Sequence, residues 1–240
     1  KHNNRTKRPT TWDSAEIRPS SRKRYSEGGS SKMPRQGLTR TKVLAAALGI
    51  VDQHGLADLT MRRLGQQLGV EAPSLYKHIR GKADILDGIT GLVYDEIEFA
   101  GEDGSFRERV HRYSQSFRHA LLRHPHVVPL MAMRPVPREN TIGLVEMSLS
   151  AIAELGFTPS EGRKYLNVAV GFIIGHALSE VGARQAGTEY VAQTRQEFDD
   201  PQYPHARLLA VEPVDHDSEF SLGIDLIVDA VERRAAALLV

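Results

Sequence analysis

From residue 38 onward the chain alternates apolar stripes at helical spacing with short polar breaks. Within residues 38–54, Val43, Ala47, Ile50, Val51 and His54 fall at i, i+4, i+7, i+8 and i+11. This predicts one amphipathic helix with Thr39 as its N-cap and Gly55 as its C-cap. Residues 60–78 then hold two shorter helices. Thr60 is a suitable N-cap, Leu64 and Leu68 lie one turn apart on one face, and Gly69 ends the first helix where φ turns positive. Pro73 suits the first turn of the second helix, where no N–H is needed, and Gly81 ends it. Leu56, Leu59, Leu64, Leu68, Val70, Leu75 and Ile79 supply the core of this unit. Two short helices joined by a tight glycine turn make a helix-turn-helix, whose second helix can enter the DNA major groove.

Residues 82–99 read as a longer helix with Ile85, Leu86, Ile89, Leu92, Val93 and Ile97 on its buried face and an acidic far end, placed to bridge two domains. Residues 101–104 break it. Beyond, everything reads as helix. Phe106, Val110, Tyr113, Phe117 and Leu121 step by 4, 3, 4, 4, and Pro125 interrupts. A short apolar piece lies within residues 126–137. Ile142, Val145, Leu149 and Ile152 form another stripe, ended at Gly156. Residues 160–183 are apolar almost all round, so that helix must be covered on every side by core or by an interface. Residues 187–218 are polar, contain Pro201, Pro204 and Pro213, and predict a long mobile loop. A last helix starts near Phe220, and its apolar surface spreads over more than one face. Two over-apolar helices near the C-terminus predict a homodimer formed by helix packing, with two-fold symmetry suited to two DNA half-sites.

Charge adds a direction. Residues 1–80 carry sixteen Lys and Arg against six Asp and Glu, and residues 81–240 carry fifteen against twenty-four. The basic third can neutralise phosphates and the acidic remainder would be repelled by them. Residues 1–37 have no hydrophobic period and read as a disordered basic arm, either tracking DNA or simply solvated. The chain has no cysteine, which excludes disulfides and thiolate metal sites. No apolar run reaches the roughly 18 residues of a membrane span. The start is polar and basic, without the apolar segment of a signal peptide. The expectation is a cytoplasmic protein with no membrane partner.

Catalytic chemistry has little support. His111, His119, His124 and His126 lie close in sequence, but no metal-protease, nucleophile-elbow, P-loop or dinucleotide motif accompanies them. Asp215-His216-Asp217 falls in the expected mobile loop, a poor place for a preorganised metal site. No catalytic residue, metal or cofactor is expected. A helical enzyme built on the four histidines is one alternative, and a constitutive DNA-binding protein without ligand is another. The second would not need about 140 residues of further core.

The segment from Leu38 through Ile97 resembles the DNA-binding domain of TetR-family regulators. The likeness rests on Leu64-Gly65-Gln66-Gln67-Leu68-Gly69-Val70 and on Ala72-Pro73-Ser74-Leu75-Tyr76-Lys77-His78, followed by Lys82 and Leu86. Phe117-Arg118-His119-Ala120-Leu121-Leu122, Arg134-Pro135 and Phe220-Ser221-Leu222-Gly223-Ile224-Asp225 are similar to the tetracycline-repressor branch. The resemblance covers residues 38–182 and 219–234. It implies an all-α dimer with a three-helix DNA-binding domain (residues 38–82, linking helix 82–99) and a ligand-binding and dimerisation domain (residues 100–240).

On the DNA side the resemblance implies contacts from Thr60, Arg62, Ala72, Pro73, Ser74, Tyr76, Lys77, His78 and Lys82 to operator bases or phosphates, with Arg62 able to hold guanine O6 and N7. Ala72 stands where the tetracycline repressors have glutamine, and Lys77 where they have a large aromatic, so the operator should differ. On the ligand side, Leu130 stands where they have the histidine that holds drug-bound magnesium. Met133 replaces a threonine and Tyr113 an asparagine. A different small-molecule effector is therefore expected, more apolar and aromatic or polyketide-like. The candidate pocket residues are Tyr113, Phe117, Leu130, Met133, Arg134, Pro135, Asn167, Phe172, Ile174 and His176. Most of them serve equally well as plain core. Asn167 and His176 stand out because polar groups on an apolar helix need a partner.

Overall fold

A computed structural model describes residues 37–98, 103–134, 138–207 and 214–238. All regular structure among them is helical. The basic arm, apart from Gly37, lies outside the described residues.

Helix α1 (Arg40–His54) begins at Thr39, whose hydroxyl accepts the Lys42 N–H, and stops at Gly55 with φ 80°. A single 3-10 turn, Leu56–Asp58, leads to α2 (Met61–Leu68). There the Thr60 hydroxyl accepts the Arg63 N–H at 3.1 Å. Gly69 closes α2 in the left-handed region at φ 67°, a conformation that costs other residues steric strain. Helix α3 (Ala72–Leu75) is shorter than the sequence suggests. It is one turn, continued by a hydrogen-bonded turn in which His78 and Ile79 N–H groups reach the Leu75 carbonyl. Leu75 is fully buried and pins the turn to the core.

Helix α4 (Lys82–Asp95) packs on α1. Gly88 permits this approach: a Cβ there would lie 2.4 Å from the Leu44 side chain. The far end of α4 stops short of the expected 99, and Glu96 to Glu98 lie outside it. Its Ile85, Ile89, Val93 and Tyr94 are buried in a core shared with α1 and with later helices.

The C-terminal helices are α5 (Phe106–Arg123), α6 (Val128–Met133), α7 (Arg138–Ala153), α8 (Pro159–Glu197) and α9 (His216–Leu238). Capping boxes start α5 (Ser105 with Glu108) and α8 (Thr158 with Glu161). Helix α8 packs on α5, α6, α7 and α9, and α4 touches α5, α6 and α7. The described residues from Leu38 onward form one unit, so the helix-turn-helix and the C-terminal helices share a continuous core.

Two expectations are corrected here. Residues 187–197 are helical rather than loop: α8 breaks at Gly187 (φ 79°) and resumes to Glu197. Its polar residues run past the core, where a helix shows no apolar period. The last helix starts at His216, before Phe220, because Asp215 caps it through Ser218 N–H and Oγ. In addition, Pro159–Glu189 is long and apolar enough to cross a membrane by length and composition, at mean hydropathy 1.4 over 18 residues. In this fold it is the central packing helix of the C-terminal half.

Candidate DNA-reading surface and ligand cavity

The α2–α3 unit places most of the expected DNA residues at the surface. Thr60, Arg62, Pro73, Tyr76, Lys77 and Lys82 are exposed, and Ala72, Ser74 and His78 are half-buried. Tyr76 projects with 56% exposure although it follows the buried Leu75, so its ring is free to meet a partner. Arg63, beside Arg62, is committed to Asp58. Arg40 clamps the unit from behind with two bonds of 2.8 Å to the Asp84 carboxylate. That bond, helped by the Arg80 N–H, holds the Asp84 carboxyl down at about 2. The surface therefore has fixed backbone and free side chains, as base and phosphate contacts need.

The ligand candidates scatter more. An apolar cavity of about 140 Å³, partly open to solvent, lies between α5, α7, α8 and α9. Its wall includes Phe106, Val110, Tyr113, Leu166, Val170 and Ile173, with Arg109, Ser114, Ser148 and Glu154 as polar members. Of the expected set only Tyr113 lines it. Burial pushes the Tyr113 hydroxyl up to about 12. Phe117 and Leu130 are buried in the core beside it, and Ile174 is buried on α8. Met133 is 77% exposed at the end of α6. Arg134 bonds Asp87 of α4 through Nε at 2.7 Å. Asn167 faces outward, exposed beside Val168. Phe172 stacks on Phe220 at 5.7 Å. His176 sits apart from the cavity, near His216. Pro135 lies outside the described residues.

Sequence reasoning missed Arg109, Ser114 and Ser148. The signal was present, since each is a polar residue beside the α5 or α7 stripe, but a stripe does not say where neighbouring helices fail to meet. Arg109 bonds Glu154 at 2.9 Å, and its buried Nε has no hydrogen-bond partner. The four histidines of the enzyme alternative are not gathered. His111 meets Asp225 of α9 at 3.0 Å, His119 is exposed, and His124 lies 3.0 Å from both Asp52 and Glu96.

An aromatic path leads from the cavity to α4. Tyr113 meets Phe117 at 6.1 Å between ring centroids, and Phe117 meets Tyr94 at 5.8 Å. Tyr94 is a residue of α4, the helix that carries the helix-turn-helix on its other end.

A helix-turn-helix joined by one linking helix to a cavity-bearing helical domain defines the class of the transcriptional regulators that combine a DNA reader with a sensor domain. The chain belongs to the TetR family: residues 43–89 match the family of bacterial regulatory proteins, tetR family, and residues 100–235 match the tetracyclin repressor-like C-terminal domain. It is similar to an HTH-type transcriptional regulator of Saccharopolyspora erythraea, 30% identical over 64% of this chain and 69% of the relative. It is also similar to the class D tetracycline repressor protein of Escherichia coli, 26% identical over 84% of this chain and 93% of the repressor. Among solved structures it resembles the Streptomyces coelicolor TetR family protein ActR in complex with actinorhodin, with TM-score 0.74, 25% identity, and coverage of 83% of this chain and 99% of that one.

Proposed function

We propose that this regulator is a repressor that binds a pseudo-palindromic operator as a homodimer and is released by a largely apolar, aromatic small molecule. The observation that carries the reading is the apolar cavity wall linked through Tyr113, Phe117 and Tyr94 to α4. A ligand that pushes Tyr113 presses on a row of tilted, packed rings, and a packed core passes displacement on rather than absorbing it. The recognition turns of a dimer must sit about 34–36 Å apart to read one turn of DNA. A small tilt of α4 spoils that spacing.

Several features support the ligand class. The wall is apolar, and the unpartnered Arg109 Nε offers one donor to a carbonyl or phenolate oxygen. Leu130, at the place of the magnesium-holding histidine, offers a metal–drug chelate nothing. The ActR complex with actinorhodin is an instance of a small-molecule complex on a similar fold. The dimer is supported by uncovered apolar residues on α8 and α9, where Val168, Leu222 and Leu226 are 58%, 61% and 59% exposed. Localisation in the cytoplasm follows from the DNA target.

The test is a DNA-release assay. Operator is selected from a random pool, and the complex is challenged at fixed salt with an aromatic polyketide quinone and with magnesium–tetracycline. Release by the quinone and not by the chelate is expected, and unchanged operator affinity with every aromatic ligand tried would end the proposed switch. Arg62→Ala should weaken operator binding by about 1–3 kcal/mol without altering the melting temperature.

A further inference from the structure

At the junction of α8 and the first turn of α9, three ligating side chains converge that neither the DNA surface nor the cavity uses. One ring nitrogen each of His176 and His216 and a carboxylate oxygen of Glu219 all lie within 4.8 Å of one another. His176 Nε2 is 4.0 Å and His216 Nδ1 is 3.4 Å from Glu219 Oε2. His176 is the informative member. Its side chain is only 10% exposed, and neither of its ring nitrogens has a hydrogen-bond partner. A buried polar group with no partner costs roughly 1–3 kcal/mol and calls for an explanation. Two aromatic neighbours, Phe172 and Phe220, fix its ring from the sides and offer its nitrogens nothing.

We propose that His176, His216 and Glu219 form a binding site for a divalent transition-metal ion of the zinc type. Two imidazoles and one carboxylate suit zinc, nickel, cobalt or copper rather than magnesium or calcium, which prefer oxygen ligands. Tetrahedral coordination with bonds of about 2.0–2.1 Å puts neighbouring ligand atoms roughly 3.4 Å apart. The 3.4 and 4.0 Å separations from Glu219 already approach that, and the two ring nitrogens, within 4.8 Å of each other, must close on one another to complete the set. Burial, and after it the nearby Arg118, push the His176 imidazole below its ordinary value. Arg118 does not repel the ion outright, because its guanidinium is spent on Glu180 at 2.8 Å and Asp217 at 2.6 Å. His216 and Glu219 stand three residues apart on one helix face, and Asp215 locks that turn through Ser218. Glu219 is half exposed, so an ion can reach the cluster from its side. Occupancy would tie the start of α9 to the middle of α8.

The experiment uses the full chain, stripped with chelator and titrated with zinc, then with cobalt as a spectroscopic substitute. One equivalent of zinc bound per chain, a raised melting temperature, and a cobalt ligand-field spectrum of nitrogen and oxygen ligands are expected. His216→Ala and Glu219→Gln should each weaken binding at least about tenfold and leave the metal-free melting temperature near the parent's. Both positions are partly exposed, so these variants decide the matter even if a His176 variant does not fold. Zinc binding that both variants leave intact places the ion on other histidines and overturns the site. So does the absence of any zinc-dependent change in melting temperature.

Discussion

The two halves of the fold are held by different means. Residues 38–98 are short helices with a dense aliphatic core. Val43, Ala47, Val51, Leu64, Leu75, Ile89 and Val93 have no measurable exposure, and the ion pairs of this half lie at its surface. The C-terminal half has long helices, a cavity of about 140 Å³, apolar faces left uncovered, and a buried Arg118–Glu180 ion pair inside its core. A reader must present fixed geometry, and filling every gap achieves that. A sensor must have unspent binding capacity, and voids, orphan donors and bare faces supply it.

The sharpest break in this comparison would come at Arg118. Its guanidinium and the Glu180 carboxylate are 3% and 2% exposed and bond at 2.8 Å. Such a pair adds little over a well-packed apolar pair, but removing one partner strands a buried charge. Glu180→Ala is expected to destabilise the protein by about 3–5 kcal/mol in urea unfolding. Asp217→Asn is the control, since that carboxylate is 87% exposed on the same guanidinium and its loss should cost about 1 kcal/mol or less. Equal effects of the two would mean that the C-terminal core is wetter than its burial indicates.

Matched leucine truncations test packing directly. Leu64 is fully buried between α1 and the recognition turn, so Leu64→Ala should cost about 2–5 kcal/mol. Leu166 already faces the cavity, and Leu166→Ala should cost under about 2 kcal/mol. A ligand that fills the cavity should widen this gap by stabilising only the native state.

The same contrast explains what the sequence discloses. Thr39, Thr60, Gly55 and Gly69 act on their own backbone within four residues, so their caps are readable one residue type at a time. Leu64 and Leu75 are legible as core because a helix-turn-helix has little freedom in how it packs. The cavity is a property of four helices together, and no stripe on α5 reports that α7 and α8 stop short of it. Tyr113 is legible through the family resemblance, whereas the polarity of Asn167 on an apolar helix says only that it needs a partner, a ligand or a neighbouring helix, and α8 leaves it exposed. His216 was set aside because prolines and polar residues suggested a loop, and the cap formed by Asp215 and Ser218 makes it helical instead.

The smallest effect is expected at the surface clamp of the reading domain. Asp84 bonds Arg40 across α1 and α4 and receives the Arg80 N–H, which lowers its carboxyl from 3.8 to about 2. A carboxyl that is more acidic folded than unfolded stabilises the native state only while it is ionised. The contribution is complete above about pH 5 and disappears as the pH falls through about 4 toward 2. Because Arg40 is 46% exposed, solvent screens the pair, and Asp84→Asn should cost about 1 kcal/mol or less at neutral pH. The informative readout is the slope of unfolding free energy between pH 5 and about 2, which should be shallower in Asp84→Asn than in the parent. An unchanged slope, together with unchanged operator affinity, would show that the dense aliphatic core alone fixes α4 against α1, and that the rigidity of the reading half owes nothing to its surface charges.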